Sequence, residues 1–200
     1  MQRFAFYALC VFGTLVFLRF IVISLQSFLG FSPLYPQLHA LKEIDLGSFS
    51  ETIEKKYLSQ GYGATIFAAI HYVKPWHNGI DIIANAGTPI RSPVTGTVIL
   101  TGNQDNFCYR RGYGKFVAVE DIDRNRILLY AHLSKTNAKT GDEIDRGDII
   151  GLSGQSGFAT APHLHFSVFK ENTFTINKKK SCGPNPEGKD LNPINYLESL

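Results

Sequence analysis

The run His163-Leu164-His165-Phe166-Ser167-Val168-Phe169 begins with two histidines that are separated by a single residue. Side chains on a β-strand alternate between its two faces, so a strand here directs the imidazoles of His163 and His165 to the same face. The two side chains can then share one cleft. A lone pair of this kind is more often structural or accidental than a metal site, so the rest of the chain has to decide its meaning.

Short β-type runs separated by Gly, Asn and Asp continue on both sides of this stretch, from Gly61 onwards. Glycines stand at the boundaries of the runs, where turns need a positive φ or a close backbone approach. The pattern predicts an all-β fold, an antiparallel β-sandwich-like or barrel-like domain. The predicted strands include Gly96–Leu100, Lys115–Glu120, Arg126–Tyr130, Asp148–Leu152 and Leu164–Phe169.

The first thirty residues differ from the rest, because two apolar stretches, Phe4–Leu18 and Phe20–Phe31, are interrupted only by Arg19. We predict that residues 1–31 form an N-terminal transmembrane helix, an uncleaved anchor; a cleaved signal peptide is the alternative. In either case the domain is exported. We expect it to be attached to the cell membrane by a single span with the C-terminal domain outside the cytoplasm, or secreted if the segment is cleaved.

The 200 residues allow one ordinary domain plus an extension. Residues 32–60, with Pro33 and Pro36, are predicted to be a spacer, with a short helix beginning near Ser48. Residues 61–200 are predicted to be the functional domain, with its core at 61–170 and a C-terminal extension at 171–200. That extension is expected to end in a short helix with Pro193 in its first turn and with Tyr196 and Leu197 packed against the domain.

Export bears on the state of the cysteines, because disulfides form in oxidising compartments outside the cytoplasm. Cys108 and Cys182 are the two cysteines that lie in the exported part. A disulfide between them is plausible, and the alternative is two unpaired thiols. The disulfide would close a loop of about seventy residues, for which the chain-entropy estimate is about 4 kcal/mol. Neither cysteine has a neighbour at the spacing of a zinc ligand pair.

The net charge is only +3, from 20 Lys and Arg against 17 Asp and Glu, and no basic run is interleaved with aromatic residues. Nucleic-acid binding is therefore not expected. The only charge run, residues 178–180, is interpreted as a solvated loop. No feature of the sequence indicates an oligomeric state.

Three further candidates for the chemistry are His77 and Asp81, which are spaced as HxxxD, and His132 in Tyr130-Ala131-His132-Leu133. A catalytic zinc site uses three protein ligands and keeps a fourth position open, and histidine and aspartate are suitable ligands. Together with the histidine pair at 163 and 165, these residues favour a zinc site in an exported hydrolase.

Five motifs in this order and spacing resemble the lysostaphin/LytM-type zinc endopeptidases, over roughly residues 61–170. The motifs are His77-Asn78-Gly79-Ile80-Asp81, Gly87-Thr88-Pro89, Gly96-Thr97-Val98, Tyr130-Ala131-His132-Leu133 and His163-Leu164-His165-Phe166. The resemblance implies the duplicated hybrid motif fold of these peptidoglycan hydrolases. One departure is Thr160-Ala161-Pro162, where many relatives have Thr-Gly-Pro, and it raises the question of the local loop geometry.

The resemblance also implies that His77, Asp81 and His165 hold one zinc ion per chain, while His132 and His163 act beside it as catalytic proton carriers. Which of these two histidines is the base and which the acid is left open. The implied substrates are peptide stems or cross-bridges of bacterial peptidoglycan, in cell-wall remodelling. Tyr72 stands where relatives place a substrate-contacting tyrosine, although an ordinary strand residue is the more economical interpretation.

Two alternatives come from other functional classes. A catalytically silent LytM-like module could bind or activate another cell-wall hydrolase, but such members typically lose a ligand, and all five polar positions are present here. A histidine phosphoryl carrier with a similar fold would be cytoplasmic and would have no HxxxD, which conflicts with the N-terminal segment.

Overall fold

β-Strands are the main regular structure of the described residues, as the alternating runs predict. The computed structural model describes residues 41–48, 56–177 and 182–200. The strands are β1 (Ile44–Asp45), β2 (Leu58–Gln60), β3 (Ile80–Ile83), β4 (Pro89–Arg91), β5 (Gly96–Asn103), β6 (Lys115–Asp121), β7 (Arg126–Ala131), β8 (Lys135–Thr136), β9 (Glu143–Ile144), β10 (Ile149–Leu152), β11 (His163–Lys170), β12 (Thr175–Asn177), β13 (Asn185–Glu187) and β14 (Asp190–Leu191). The helices α1 (Ile66–His71) and α2 (Pro193–Glu198) are short, and 3-10 turns lie at Leu46–Ser48, Gln104–Asn106 and Glu171–Thr173.

The strands form a large sheet, a smaller one and a separate hairpin. The large sheet has the order β2-β3-β11-β7-β6-β5-β9, with β14 also paired to β11. The smaller sheet has the order β1-β4-β10-β8, and β12 pairs with β13. The described pairings are antiparallel except for β1 with β4. The predicted all-β, antiparallel class is therefore confirmed.

The main core lies between the two sheets, and one face of each central strand points into it. Leu164, Phe166 and Val168 of β11 point into this core, together with Ile80 and Ile82 of β3. A second, smaller apolar cluster covers the opposite face of the large sheet. Its buried members are Phe116, Ala118, Ile127, Leu129, Ala131 and Phe169. Burial of both faces explains why the central strands are almost continuously apolar.

The predicted spacer is partly a structural element. Ile44 and Leu46 are 0% and 1% exposed and belong to the main core, and β1 pairs with β4. A strand of two residues is too short to produce a recognisable period, so no sequence pattern predicts it. Of the helix predicted from Ser48, most lies outside the described residues, and residues 56 and 57 are helical.

The predicted transmembrane helix, residues 1–31, lies outside the described residues and stays a prediction. In the part of the chain that the structure describes, no helix has both the length and the apolar character needed to cross a membrane.

A disulfide joins Cys108 to Cys182, 74 residues apart, with 4.9 Å between their Cα atoms, which confirms the predicted pairing.

Replacing both cysteines by serine is expected to lower the free energy of unfolding by about 4 kcal/mol, because the open unfolded chain gains the entropy of the released loop. Urea unfolding of the two proteins measures the difference. Cys10→Ser serves as the matched single-cysteine control, and equal stability of the double variant and the parent would contradict the expectation.

The C-terminal helix α2 is fastened to the large sheet by a buried polar contact, and its predicted start at Pro193 is confirmed. Tyr196 is 7% exposed, and its hydroxyl donates to Asp121 Oδ2 over 2.6 Å. Burial, with the neighbouring Asp121 carboxylate, raises the pKa of Tyr196 above its usual range. Leu197 is buried beside it, as predicted.

Tyr196→Phe is expected to lower the free energy of unfolding at neutral pH by about 2 kcal/mol, because Asp121 loses a hydrogen bond in a buried position. The pKa of Tyr196 is raised in the folded state, so its contribution is fully present below the unfolded pKa of about 10 and is lost as the pH rises above it. Urea titrations at about pH 8 and about pH 11 should therefore show a stability difference between parent and variant that shrinks with pH. A constant difference would refute this role.

Candidate metal centre

Two neighbouring strands bring three polar side chains to one point on the large sheet. In the pairing of β3 with β11, Asp81 lies directly opposite His165, and both point away from the main core because their neighbours in sequence fill it. His77 comes just before β3, held by a bridge to Gly63. Asp81 Oδ1 lies 2.8 Å from His165 Nδ1 and 3.2 Å from His77 Nε2, and these two nitrogens are 3.1 Å apart.

The other nitrogen of each imidazole has its own partner. His77 Nδ1 lies 2.7 Å from the carbonyl oxygen of Gly61, which can only accept a hydrogen bond. His165 Nε2 lies 2.7 Å from the hydroxyl oxygen of Ser167, which can accept its proton. With the protons held there, two nitrogen lone pairs and a carboxylate oxygen converge on one point, an arrangement that a cation stabilises.

The three atoms fit a metal ion by position and by chemistry. They lie within 4.8 Å of one another, and all three residues are buried. Zinc bonds of 2.0–2.2 Å in tetrahedral geometry place ligand atoms about 3.3 Å apart, close to the spacing observed here. Burial alone raises the pKa of the Asp81 carboxyl, but His165 and His77 outweigh burial and hold this pKa below its usual range, so the group is ionised. Burial also lowers the pKa of His165, which favours a neutral ligand.

His132 and His163 lie beside these ligands with their ring centroids 4.7 Å apart. His132 Nδ1 is 2.8 Å from the Ser156 carbonyl oxygen, and His163 Nδ1 is 2.8 Å from that of Ala161. Each ring therefore donates through Nδ1 and keeps Nε2 as an acceptor. His163 Nε2 lies 3.6 Å from Asp81 Oδ1. Burial, followed by the nearby His165 and His163, lowers the pKa of His132 to about 3.

The structure thus brings together the five residues predicted from the sequence. It also answers the question that Ala161 raised. The described non-glycine residues with positive φ are Arg110, Asn125 and His132, so Ala161 has an ordinary backbone conformation in which glycine is not needed. Its carbonyl oxygen instead fixes the ring of His163.

Gly79, between the first two ligands, is required by a close approach to β11. A Cβ atom at this position would lie 2.5 Å from the Phe166 carbonyl oxygen, 2.7 Å from His165 Cε1 and 2.7 Å from Ser167 Oγ. The extra methyl group of Gly79→Ala must therefore push away the β11 backbone at Phe166, together with the imidazole of His165 and its partner Ser167.

We expect Gly79→Ala to weaken zinc binding about 10- to 100-fold, the usual cost of disturbing a group that orients a metal ligand. Competition with a chromophoric chelator measures the affinity, and near-UV circular dichroism checks that the variant has folded. Unchanged zinc affinity in a folded variant would show that His165 does not depend on this close approach.

A groove crosses the sheet at the metal centre and leaves it open to solvent. One section, of about 550 Å³, includes His77, His132 and His165 in its lining, and a second section of about 260 Å³ includes Asp81 and His163. Tyr72, His132 and Phe158 line both sections. Two adjoining sections beside the candidate metal centre suit an extended chain better than a compact small molecule.

Aromatic residues that the sequence left without a role lie in this groove. Tyr72 follows α1, its ring centroid is 6.1 Å from that of Phe158, and burial raises its pKa to about 12. Tyr113 packs 5.7 Å from the ring of His165, and its hydroxyl accepts a hydrogen bond from Asn78. The sequence signal for Tyr113 is the flanking Gly112 and Gly114, both with positive φ, which allow a sharp turn around it.

A β-sheet groove with two imidazoles, one carboxylate and two further histidines at an open metal site defines a metal-dependent hydrolase. Comparison with known families reaches the same class. The model of peptidase family M23 matches residues 75–179, just over half of the chain, so the chain belongs to this family. The predicted resemblance and the predicted enzyme class, a metallopeptidase, are thereby confirmed, and the phosphoryl-carrier alternative is not supported.

Individual relatives agree with this assignment. The chain is 40% identical to glycyl-glycine endopeptidase ALE-1 of Staphylococcus capitis over 108 residues, 54% of this chain and 28% of that protein. It is 36% identical to peptidoglycan DD-endopeptidase ShyA of Vibrio cholerae over 92 residues, 46% of this chain and 20% of that protein. The matched region thus spans less than a third of these relatives.

A solved structure gives the same fold. The catalytic domain of the antimicrobial peptidase lysostaphin from Staphylococcus simulans superimposes with a TM-score of 0.57 and 28% sequence identity. The superposition covers 74% of this chain and 98% of that domain.

Proposed function

We propose that this protein is a zinc-dependent endopeptidase that hydrolyses peptide stems or cross-bridges of bacterial peptidoglycan during cell-wall remodelling. The observation that carries the proposal is the intact site, in which three converging ligand atoms are accompanied by two histidines with free acceptor nitrogens. The relatives named for glycyl-glycine and peptidoglycan endopeptidase activity support the substrate class.

The chemistry follows from the donor set and from the tautomers. His77, Asp81 and His165 would hold zinc, which when bound supplies a Lewis acid for the scissile carbonyl and lowers the pKa of water. The orienting partners, the Gly61 carbonyl oxygen and the Ser167 hydroxyl, keep the ligand nitrogens directed at the site.

The two remaining histidines carry the proton. A neutral Nε2 accepts a proton as water attacks the peptide carbonyl, and the resulting imidazolium returns it to the leaving amine nitrogen. His132 and His163 are placed for this exchange because their Nδ1 atoms are anchored to the backbone oxygens of Ser156 and Ala161. The groove on both sides of the site would hold the peptide chain across it.

The test uses the full chain purified in detergent. Metal analysis should find close to one equivalent of zinc, and digestion of purified cross-linked peptidoglycan should release peptides that mass spectrometry identifies. Removal of zinc by a chelator should stop the release, and added zinc should restore it. About one zinc per chain with no cleavage, under conditions in which lysostaphin cuts, would reject the enzyme and leave the silent module that binds or activates another hydrolase.

The proposal includes a location. Residues 1–31 would anchor the chain in the cell membrane as a single span, with the peptidase domain facing the cell wall outside the cytoplasm. The basis is the uncharged stretches on either side of Arg19. Intact-mass measurement of protein recovered from membranes decides between the anchor and the alternative: the anchor retains residues 1–31, whereas a cleaved signal peptide shortens the chain.

A further inference from the structure

One wall of the larger groove section carries two positive charges. Residues 104–113, named here the arginine loop, contribute Arg110, Arg111 and Tyr113 to the lining that also contains His77 and His165. Both arginines therefore border the same open space as His77 and His165.

The arginine loop is held firmly in place. The side chain of Gln104 is buried, at 1% exposure; it accepts a hydrogen bond from the Tyr113 backbone NH over 2.6 Å and donates one to the Pro184 carbonyl oxygen over 3.0 Å. The disulfide ties Cys108 to Cys182 beside this contact. Because these contacts hold the loop backbone, ligand binding at the loop costs little backbone conformational entropy.

No described acidic side chain pairs with the charges on this wall. Among the described residues, neither Arg110 nor Arg111 forms an ion pair, and Arg110 donates to the backbone oxygen of Ala159 over 3.1 Å. The nearest acid in sequence, Asp105, accepts instead from the backbone NH groups of Arg110 and Gly157. Among the described residues that line this section there is no Asp or Glu.

From these observations we infer that the arginine loop is an anion subsite, which binds a carboxylate of the peptide substrate beside the scissile bond, with Arg111 as the main contact. A planar guanidinium binds a carboxylate with two parallel hydrogen bonds, and a site that contains no competing acid favours such a pair. The inference rests on the proposed function. It narrows the substrate class to peptides that carry a free carboxylate, which should be cleaved in preference to neutral peptides.

The kinetic test compares two cross-linked stem peptides that differ only in their side-chain and terminal carboxyl groups, free in one and amidated in the other. The zinc-loaded full chain should cleave the free acid with a KM about tenfold lower and a similar kcat, the factor expected for one charge-assisted contact. Arg111→Gln should raise the KM for the acid to that for the amide and leave the amide unchanged. Equal KM values for both peptides, or a variant that impairs both equally, would overturn the inference.

A binding test separates this inference from the proposed function. Fluorescence anisotropy measures the binding of the same two peptides to the metal-free full chain, in which no carboxylate can bind to zinc. If metal removal abolishes the near-UV circular dichroism, the zinc-loaded His163→Ala chain is used in place of the metal-free chain. The acid should bind about tenfold more tightly than the amide, and added salt should reduce this preference. If no peptide is cleaved but the preference is present and is lost in Arg111→Gln, the proposed function fails and the subsite stands.

The matched control is Arg126→Gln. Arg126 lies at the start of β7, outside the groove lining, and its side chain donates to the backbone oxygen of Asn125. Its removal changes the net charge by the same amount, so a loss of preference in this variant as well would indicate a general charge effect and would overturn the assignment to Arg111.

Discussion

Asp81→Ala is expected to weaken zinc binding at least 100-fold and to abolish peptide hydrolysis with it. The substitution removes the only anionic ligand of the three and leaves two neutral imidazoles to hold a divalent cation. Altering a residue that merely orients a ligand typically costs 10- to 100-fold in affinity, so loss of the ligand itself should cost at least the upper end of this range. Chelator competition gives the affinity, and metal analysis after dialysis gives the stoichiometry.

Asp123→Ala is the matched control, because Asp123 is exposed and lies in the turn between β6 and β7. It removes the same charge away from the groove and should bind zinc as the parent does. If Asp81→Ala also retained one equivalent of zinc after dialysis, with parental affinity, the assignment of the metal site would be incorrect.

The second large effect is expected for His163→Ala, which should retain zinc while its kcat falls about 10²- to 10⁴-fold, the range for loss of a positioned acid–base group. His163 is not one of the three converging ligands, but its Nε2 lies 3.6 Å from Asp81 Oδ1. Zinc content, kcat and KM measured on one preparation test the two halves of the expectation together.

Added imidazole provides the positive control for this variant, since it can enter the vacated space and restore part of the activity. A variant that loses zinc along with activity would make His163 part of the metal site. A fully active variant would leave proton transfer to His132 alone.

The part of the site that lies within a single strand could be predicted from the sequence, because side chains alternate between the two faces of a strand. The period of two in β11 sends His163 and His165 to one face, and the structure bears this out. The register that sets Asp81 opposite His165 joins residues 84 positions apart, and no local pattern contains it. The resemblance to a known family supplied that information where periodicity could not.

The groove walls were the least predictable part. Tyr113 and Arg111 reach the groove because the side chain of Gln104, 9 residues before Tyr113, holds the loop from inside. No pattern in the sequence around Gln104 indicates this role. Ser167 is similar, because the sequence places it only in a predicted strand, whereas its hydroxyl forms a hydrogen bond with Nε2 of His165 and orients that ring. Polar contacts of this kind depend on tertiary packing, which sequence patterns describe poorly.

The placement of the ligands on adjacent strands has a thermodynamic consequence. His77 and Asp81 lie in or just before β3, and His165 lies in β11. An ion that binds all three residues therefore links β3 with β11, so it binds the folded chain and not the unfolded one. By linkage, zinc at 1,000 times its dissociation constant adds about 4 kcal/mol to the stability of the domain. A chain that binds zinc would therefore unfold less often than the metal-free chain and would be cleaved more slowly by proteases that attack the unfolded state.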